Sequence, residues 1–364
     1  MIYENTVILS EAKNLKKIGG EFMSSKKIIG ITLGDPAGIG PEITVKSLST
    51  PTFYDACNPF VIGDSSVLEA AIKILGKDLK VNVISDIDEA LFTFGTIDIY
   101  DMNLIDINKL KRGEVSAMAG NAAFEYVKKA IALAMDGTID ATVTNALNKE
   151  ALNLAGHHYS GHTEIYAEFT GTKKYTMLLV HDTLRVVHVS THVSLRNACD
   201  LVKKERVLEV IRIANQACKD FGIAQPKIGV AGLNPHCGEN GLFGTEEIEE
   251  IAPAIATAKA EGIIIDGPIP PDSIFSKANG GWYDVVVAMY HDQGHIPLKV
   301  LGFVYDREAQ SWQSISGVNI TLGLPIIRAS VDHGTAFDQA GLGIADETSL
   351  NNAIDYAILM AQNR

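Results

Sequence analysis

Three histidines stand just beyond short β-branched or apolar runs: His192 after LRVVHVS (184–190), His236 after KIGVAG (227–232) and His291 after VVVAM (285–289). Neutral imidazole is a good ligand for a divalent metal, and three protein ligands with one open position make a catalytic arrangement. Any one of these histidines alone is better read as a strand cap or a partner of a backbone carbonyl. Three at the same kind of position shift the balance towards a metal. Asp272 and Asp292 are the acidic residues that would act as acid or base beside it, or else cap helices. Lys299, Arg307 and Arg328 are the candidate phosphate contacts, although a lone cation is usually a solvated surface charge.

Glycine-rich stretches supply the other candidates. GDPAGIGPE (34–42) follows IIGITL (28–33), but its glycines do not follow G-x-G-x-x-G. It is either a tight turn that uses glycine's freedom in φ or a loop whose N–H groups face an anion at a helix start. His162, Thr163 and Glu164 follow Gly161 and open a helix, where Thr and Glu can also be a plain capping arrangement. His333-Gly334-Thr335-Ala336, then AGLGIAD (340–346), is either a long turn or a loop that lets a cofactor ring approach the backbone.

These residues need elements to hold them. Residues 28–33, 59–63, 96–100, 141–144, 227–232, 285–289, 318–322 and 326–329 read as short strands. Residues 175–180 and 184–190 read as a hairpin about His181-Asp182-Thr183. Helical spacing marks 66–75, 119–135, 204–221, 245–261 and 349–362, and a further helix begins at 42–48. On 119–135, Ala122, Ala123, Tyr126, Ala130 and Ala134 fall on one side. Strand–helix alternation predicts an α/β fold with a mostly parallel sheet. Ligands of such sheets bind beyond the carboxyl ends of strands, where the three histidines stand. No linker-like segment marks a boundary, so two domains would share sheet contacts.

The bulk numbers agree. A chain of 364 residues with 46% apolar and 21% charged residues is globular, and its length suggests two domains or one large α/β unit. A net charge of −13 argues against nucleic acid as the main partner but leaves room for a small anion held by a local cluster of cations. Four scattered cysteines are expected to be reduced thiols in the cytoplasm. No apolar run suits a membrane span. The first 22 residues do not read as a signal peptide and are expected to be a loosely packed extension.

Taken together, GDPAGIGPE, GHTE (161–164), STH (190–192), GLNPHCGE (232–239), MYHDQG (289–294), VNITLGLP (318–325) and VDHGTA (331–336) resemble the 4-hydroxythreonine-4-phosphate dehydrogenase family. The resemblance implies two α/β domains of the isocitrate/isopropylmalate dehydrogenase type, here 23–150 with 318–364, and 151–317, with a cleft between them. It implies a homodimer whose active site is shared. His192, His236 and His291 would bind a divalent metal, with Mg²⁺ suited to substrate oxygens and Zn²⁺ or Co²⁺ to imidazoles. His162, Thr163, Lys299, Asn319 and Arg328 would contact a small phosphorylated substrate, and Asp272, Asp292 and Lys299 would be catalytic. His333, Gly334, Thr335, Ala336 and Asp346 would line the NAD site. The implied reaction is oxidation at C3 followed by loss of CO₂.

Two departures bear on the substrate. Thr144–Lys149 reads TNALNK where the vitamin B6 branch has a TGPVHK-like stretch, and the link over 304–316 is longer. Both resemble the branch that oxidises D-threonate or D-erythronate 4-phosphate to dihydroxyacetone phosphate. The alternatives are 4-hydroxythreonine-4-phosphate oxidation in pyridoxal phosphate synthesis, acyl transfer to phosphate, and non-catalytic binding of a phosphosugar acid.

Overall fold

The structure, a computed structural model, describes residues 26–306 and 311–364. The expected extension over 1–22 and Arg307 lie outside the described residues. The strands are β1 (Ile28–Thr32), β2 (Asn58–Gly63), β3 (Lys80–Ile84), β4 (Thr96–Asp101), β5 (Ala141–Thr144), β6 (Thr176–His181), β7 (Leu184–His188), β8 (Lys227–Ala231), β9 (Ile264–Ile269), β10 (Val285–Ala288), β11 (Phe303–Asp306), β12 (Ser311–Ile315), β13 (Val318–Leu322) and β14 (Ile327–Val331). Twelve of them make one sheet in the order β3-β4-β2-β1-β5-β14-β13-β6-β7-β10-β8-β9. β11 and β12 pair by themselves as an antiparallel ribbon outside the main sheet, so the described parts of the long 304–316 link do not join it.

The sheet is parallel from β3 to β14 and again from β7 to β9. Antiparallel steps at β14/β13, β13/β6 and β6/β7 reverse the direction between the two runs. The expected hairpin is β6–β7, turning at Asp182 with φ +49°. The α/β class expected from the sequence is the one observed.

Helices cover the sheet: α1 (Gly40–Ser47), α2 (Pro51–Ala56), α3 (Ser65–Leu75), α4 (Ala117–Met135), α5 (Lys149–Leu154), α6 (His162–Phe169), α7 (Leu195–Leu201), α8 (Lys204–Asp220), α9 (Ala252–Ala260), α10 (Pro271–Asn279), α11 (His291–Gly302) and α12 (Thr348–Asn363). The alanine face of α4 is buried as its spacing requires, and Ser116 caps its start by accepting from the Ala119 N–H. Its Gly120 lets α5 approach: a Cβ there would sit 2.1 Å from the Ala151 carbonyl oxygen. No helix among the described residues is long and apolar enough to cross a membrane.

Several elements carry no clear sequence signal, for identifiable reasons. β9 contains Gly267-Pro268, which argues against a strand, but β9 is a sheet edge, where proline is tolerated. α11 contains Gly294 and Pro297, both helix-weakening. Gly294 is needed because a Cβ there would lie 2.3 Å from His188 Nε2. The helix expected over 245–261 begins instead as a π-helical turn, Glu247–Ile251, and continues as α9.

Candidate active site

Two polar rows cross one face of the sheet at its centre. Thr321 of β13, Arg328 of β14 and Thr142 of β5 are register partners, and so are Asn319, Ser330 and Thr144 two residues along. Side chains alternate across a strand, so both rows share a face. Arg328 is only 2% exposed. Its guanidinium donates to Thr321 Oγ1 at 3.1 Å and to Thr144 Oγ1 at 2.9 Å, over the Tyr166 ring. Among the described residues no carboxylate pairs with it. Burial pulls its pKa down to about 10.

α6 closes over this patch. Tyr166 donates to Thr142 Oγ1 at 2.9 Å, and Thr163 Oγ1 lies 3.3 Å from Thr321 Oγ1. Gly161 is the N-cap and no side chain caps the helix, so Thr163 and Glu164 are free for other partners. Burial, then the nearby Arg328, pushes His162 well below its usual pKa, so its ring is neutral. His162 Nε2, Asn319 Oδ1, Arg328 Nε and His333 Nε2 are all buried without a hydrogen-bond partner among the described residues. Each such atom costs roughly 1–3 kcal/mol unless something satisfies it. A cavity of about 200 Å³ beside them is lined by Thr144, Lys149, His162, Ser330, His333 and Gly334. Of the substrate and cofactor residues expected from the sequence, its lining brings together His162, His333 and Gly334.

The 333–346 loop leaves the end of β14. Lys299 of α11 forms an ion pair with Asp332 just before it. His333 Nδ1 donates to the Gly334 carbonyl at 2.8 Å, and burial lowers its pKa. Ala336 has φ +43°, and Asp346 accepts from the Thr348 N–H at 2.7 Å. The loop rests on GDPAGIGPE. Ile39 N–H donates to the Thr335 carbonyl at 3.1 Å, and the Glu42 carboxylate accepts from Gly341 N–H and, at 2.7 Å, from Gly343 N–H. Other loop N–H groups are also taken: Asp35 donates to the Ala146 carbonyl and Ala37 to Asp35 Oδ1. Gly34 has φ +69° and lies against Ala146. This favours the tight-turn reading of GDPAGIGPE over the anion cradle.

The histidines divide. His192 and His291 face each other with ring centroids 6.0 Å apart, on the wall of a pocket of about 490 Å³. Asp292 Oδ1 accepts from His291 Nδ1 at 2.7 Å, which fixes the ring and leaves Nε2 as the nitrogen that could bind a metal. Glu164 Oε1 lies 3.6 Å from His192 Nδ1. Burial raises the Glu164 pKa, but hydrogen bonds from His192, its own backbone N–H and Ser160 outweigh this and the net shift is downward. Imidazoles backed by carboxylates are a donor set that fits a divalent metal. His236 does not join them. Among the described residues no three His, Cys, Asp or Glu side chains gather closely enough to hold a metal ion. His236 is exposed on a separate turn, Pro235–Gly241, which packs against α10, the helix that carries Asp272 in its first turn.

The family described as pyridoxal phosphate biosynthetic protein PdxA matches residues 55–357. The chain belongs to the PdxA family. It is 49% identical over 338 residues to a D-threonate 4-phosphate dehydrogenase of Cupriavidus necator, a match covering 93% of this chain and 98% of that one. A crystal structure of a 4-hydroxythreonine-4-phosphate dehydrogenase from Klebsiella pneumoniae matches with a TM-score of 0.80 at 46% identity, covering 92% of this chain and all of that one. One from Burkholderia phymatum matches with a TM-score of 0.79 at 46% identity, covering 93% and 99%.

This PdxA chain also places residues that motif reading missed. His295 stacks on His291 with centroids 3.6 Å apart and donates from Nδ1 to the His291 carbonyl at 2.9 Å. Beyond it lies His188, fully buried, 4.7 Å from His295. The i, i+4 spacing of His291 and His295 was the available signal, visible only once 291–302 is known to be a helix. Glu164 links the two parts of the site, since it touches His192 and its charge reaches Arg328.

Proposed function

We propose that this PdxA-family chain is an NAD- and divalent-metal-dependent dehydrogenase. It oxidises C3 of D-threonate 4-phosphate or D-erythronate 4-phosphate, and loss of CO₂ then gives dihydroxyacetone phosphate. The observation that carries this reading is the buried Arg328, held by two threonine hydroxyls and, among the described residues, with no carboxylate on it and with unpartnered atoms of His162, Asn319 and His333 nearby. A cation kept in that state suits an anionic, oxygen-rich ligand. The D-threonate 4-phosphate dehydrogenase name of the Cupriavidus relative favours the sugar acids over 4-hydroxythreonine 4-phosphate.

In this reading Arg328, Thr163, His162 and Asn319 bind and orient the substrate, with Lys299 at the same site. His192, His291 and His236 would hold the metal, of which Zn²⁺, Co²⁺ and Mg²⁺ are the candidates. When bound, it would lower the pKa of the substrate hydroxyl and favour loss of CO₂. Asp292 holds the His291 ring, and Asp292, Asp272 and Lys299 are the groups for proton transfer. The 333–346 loop, with His333, Gly334, Thr335, Ala336 and Asp346, would take NAD beside the cavity. The third metal ligand would come from a second copy, making the protein a homodimer with a shared site. The division into 23–150 with 318–364 and 151–317 fits the reversal of strand direction where β13 meets β6. Four unpaired cysteines agree with a reducing cytoplasm.

The test is NADH formation by metal-supplemented protein on D-threonate 4-phosphate, D-erythronate 4-phosphate and 4-hydroxythreonine 4-phosphate, side by side. Higher kcat/KM on either sugar acid is expected. Preference for the amino acid would move the chain to the pyridoxal phosphate branch, and no NADH from any of the three would overturn the reading.

A further inference from the structure

The turn that carries His236 has an unusual backbone. His236, Cys237, Gly238, Glu239 and Asn240 all lie in the left-handed region, with φ between +45° and +76°. Four of the five are not glycine, and side-chain-bearing residues avoid this region because Cβ crowds the following carbonyl. Such a run persists only where its surroundings over-determine it.

Backbone bonds close the turn, from Cys237 N–H to the Asn234 carbonyl and from Phe243 N–H to the Gly238 carbonyl, and one buried side chain anchors the chain that enters it. Glu247, in the π-helical turn before α9, is 3% exposed. Its Oε1 accepts from the N–H groups of Leu233 and Asn234, each at 2.7 Å, and its Oε2 accepts from Asn234 Nδ2 at 3.0 Å. The fit is tight on both sides of the turn. A Cβ on Gly232 would lie 3.0 Å from Glu247 Oε1, and one on Gly238 would lie 2.9 Å from Oε2. The carboxylate therefore clamps the chain where it leaves β8 and also fills the space under the turn.

We propose that Glu247 is the positioning residue for His236: it holds the left-handed turn that presents this exposed imidazole. This rests on the reading of His236 as a metal ligand. Glu247 touches no substrate or metal in this assignment and acts only through the turn. Replacement by glutamine keeps the volume and can leave a carbonyl oxygen on the Leu233 and Asn234 N–H groups, but it removes the charge and puts an amide N–H₂ where Oε2 accepts from Asn234 Nδ2 under Gly238, so the clamp is weakened while the side chain still fits.

The experiment measures Zn²⁺ affinity of the purified full-length protein by competition with a chromophoric chelator, for wild type, Glu247→Gln, His236→Ala and the double variant. Hydrogen exchange of residues 233–241 is followed alongside. Loss of a residue that orients a metal ligand typically weakens binding about 10–100-fold, and that is the expected loss for Glu247→Gln. The double variant should bind no more weakly than His236→Ala alone, and the turn's amides should exchange faster in Glu247→Gln. A general packing defect would instead weaken binding further in the double variant, and that additivity overturns the proposal. So does wild-type affinity in Glu247→Gln when His236→Ala has lost it, a result that leaves the metal reading intact. Unchanged affinity in His236→Ala overturns the metal reading itself, and the proposal with it.

Discussion

At the scale of residues, Arg328 shows how a site can be costly to the fold that carries it. Its folded pKa lies below the ordinary value, so the folded state binds the proton less well than the unfolded chain does. The sign follows: the penalty is present in full at neutral pH and is relieved only as pH rises through about 10. Removing the charge should therefore help the empty protein and harm its chemistry. Arg328→Met is expected to match or exceed the wild-type Tm at pH 7, while kcat/KM falls by about 100-fold or more. Calorimetry of the ligand-free protein and steady-state kinetics decide it. A collapse in Tm would mean that the guanidinium is a structural tie between β13 and β5. Part of this was open to the sequence. Arg328 could be named as a phosphate contact, but its burial could not, because burial follows from the register that sets Thr321 and Thr142 beside it. His188 and His295 had no motif of their own and emerge only from the packing of α11 against β7.

At the scale of elements, strands with β-branched runs and the alanine-faced α4 were legible because burial repeats at the period of the element. β9, α10 and α11 were not, since Pro268, Pro271, Gly294 and Pro297 obscure the pattern while tertiary contacts still impose the structure. GDPAGIGPE was legible as a motif but not in its use. It is the first turn of α1 and the floor of the 333–346 loop, some 300 residues later in the chain, and Glu42 is the tie between them. Both glycines bound by Glu42 have positive φ, so the carboxylate fixes a backbone course that little else would hold. Glu42→Gln turns a donor towards one of these N–H groups. The expected result is a rise of about tenfold in KM for NAD with Zn²⁺ affinity unchanged, as for loss of a charge-assisted contact. NADH binding followed by fluorescence checks it. An unchanged KM for NAD would separate the loop from the cofactor.

At the scale of the whole molecule, the two parallel runs of the sheet point in opposite directions, and β7, β10 and β8 lie side by side in the second. Their carboxyl ends lead to His192, His291 and His236, so neighbouring strands start the three imidazoles close together. Two of them converge, and the left-handed turn carries the third out into solvent. If the metal site is completed by a second copy, each site takes His192 and His291 from one chain and His236 from the other. That arrangement has a consequence a single-chain site lacks. His192→Ala and His236→Ala proteins should each be inactive alone. Unfolded together and refolded as a mixture, half the dimers contain one chain of each kind. In such a dimer one site has lost both ligands and the other keeps all three. Activity should return to roughly a quarter of wild type in an equal mixture of two-fold dimers. Refolded wild type sets the scale, and each variant refolded alone sets the background. If the three histidines instead come together within one chain when metal binds, every site in every mixed dimer lacks a ligand, and the mixture stays as inactive as its parts.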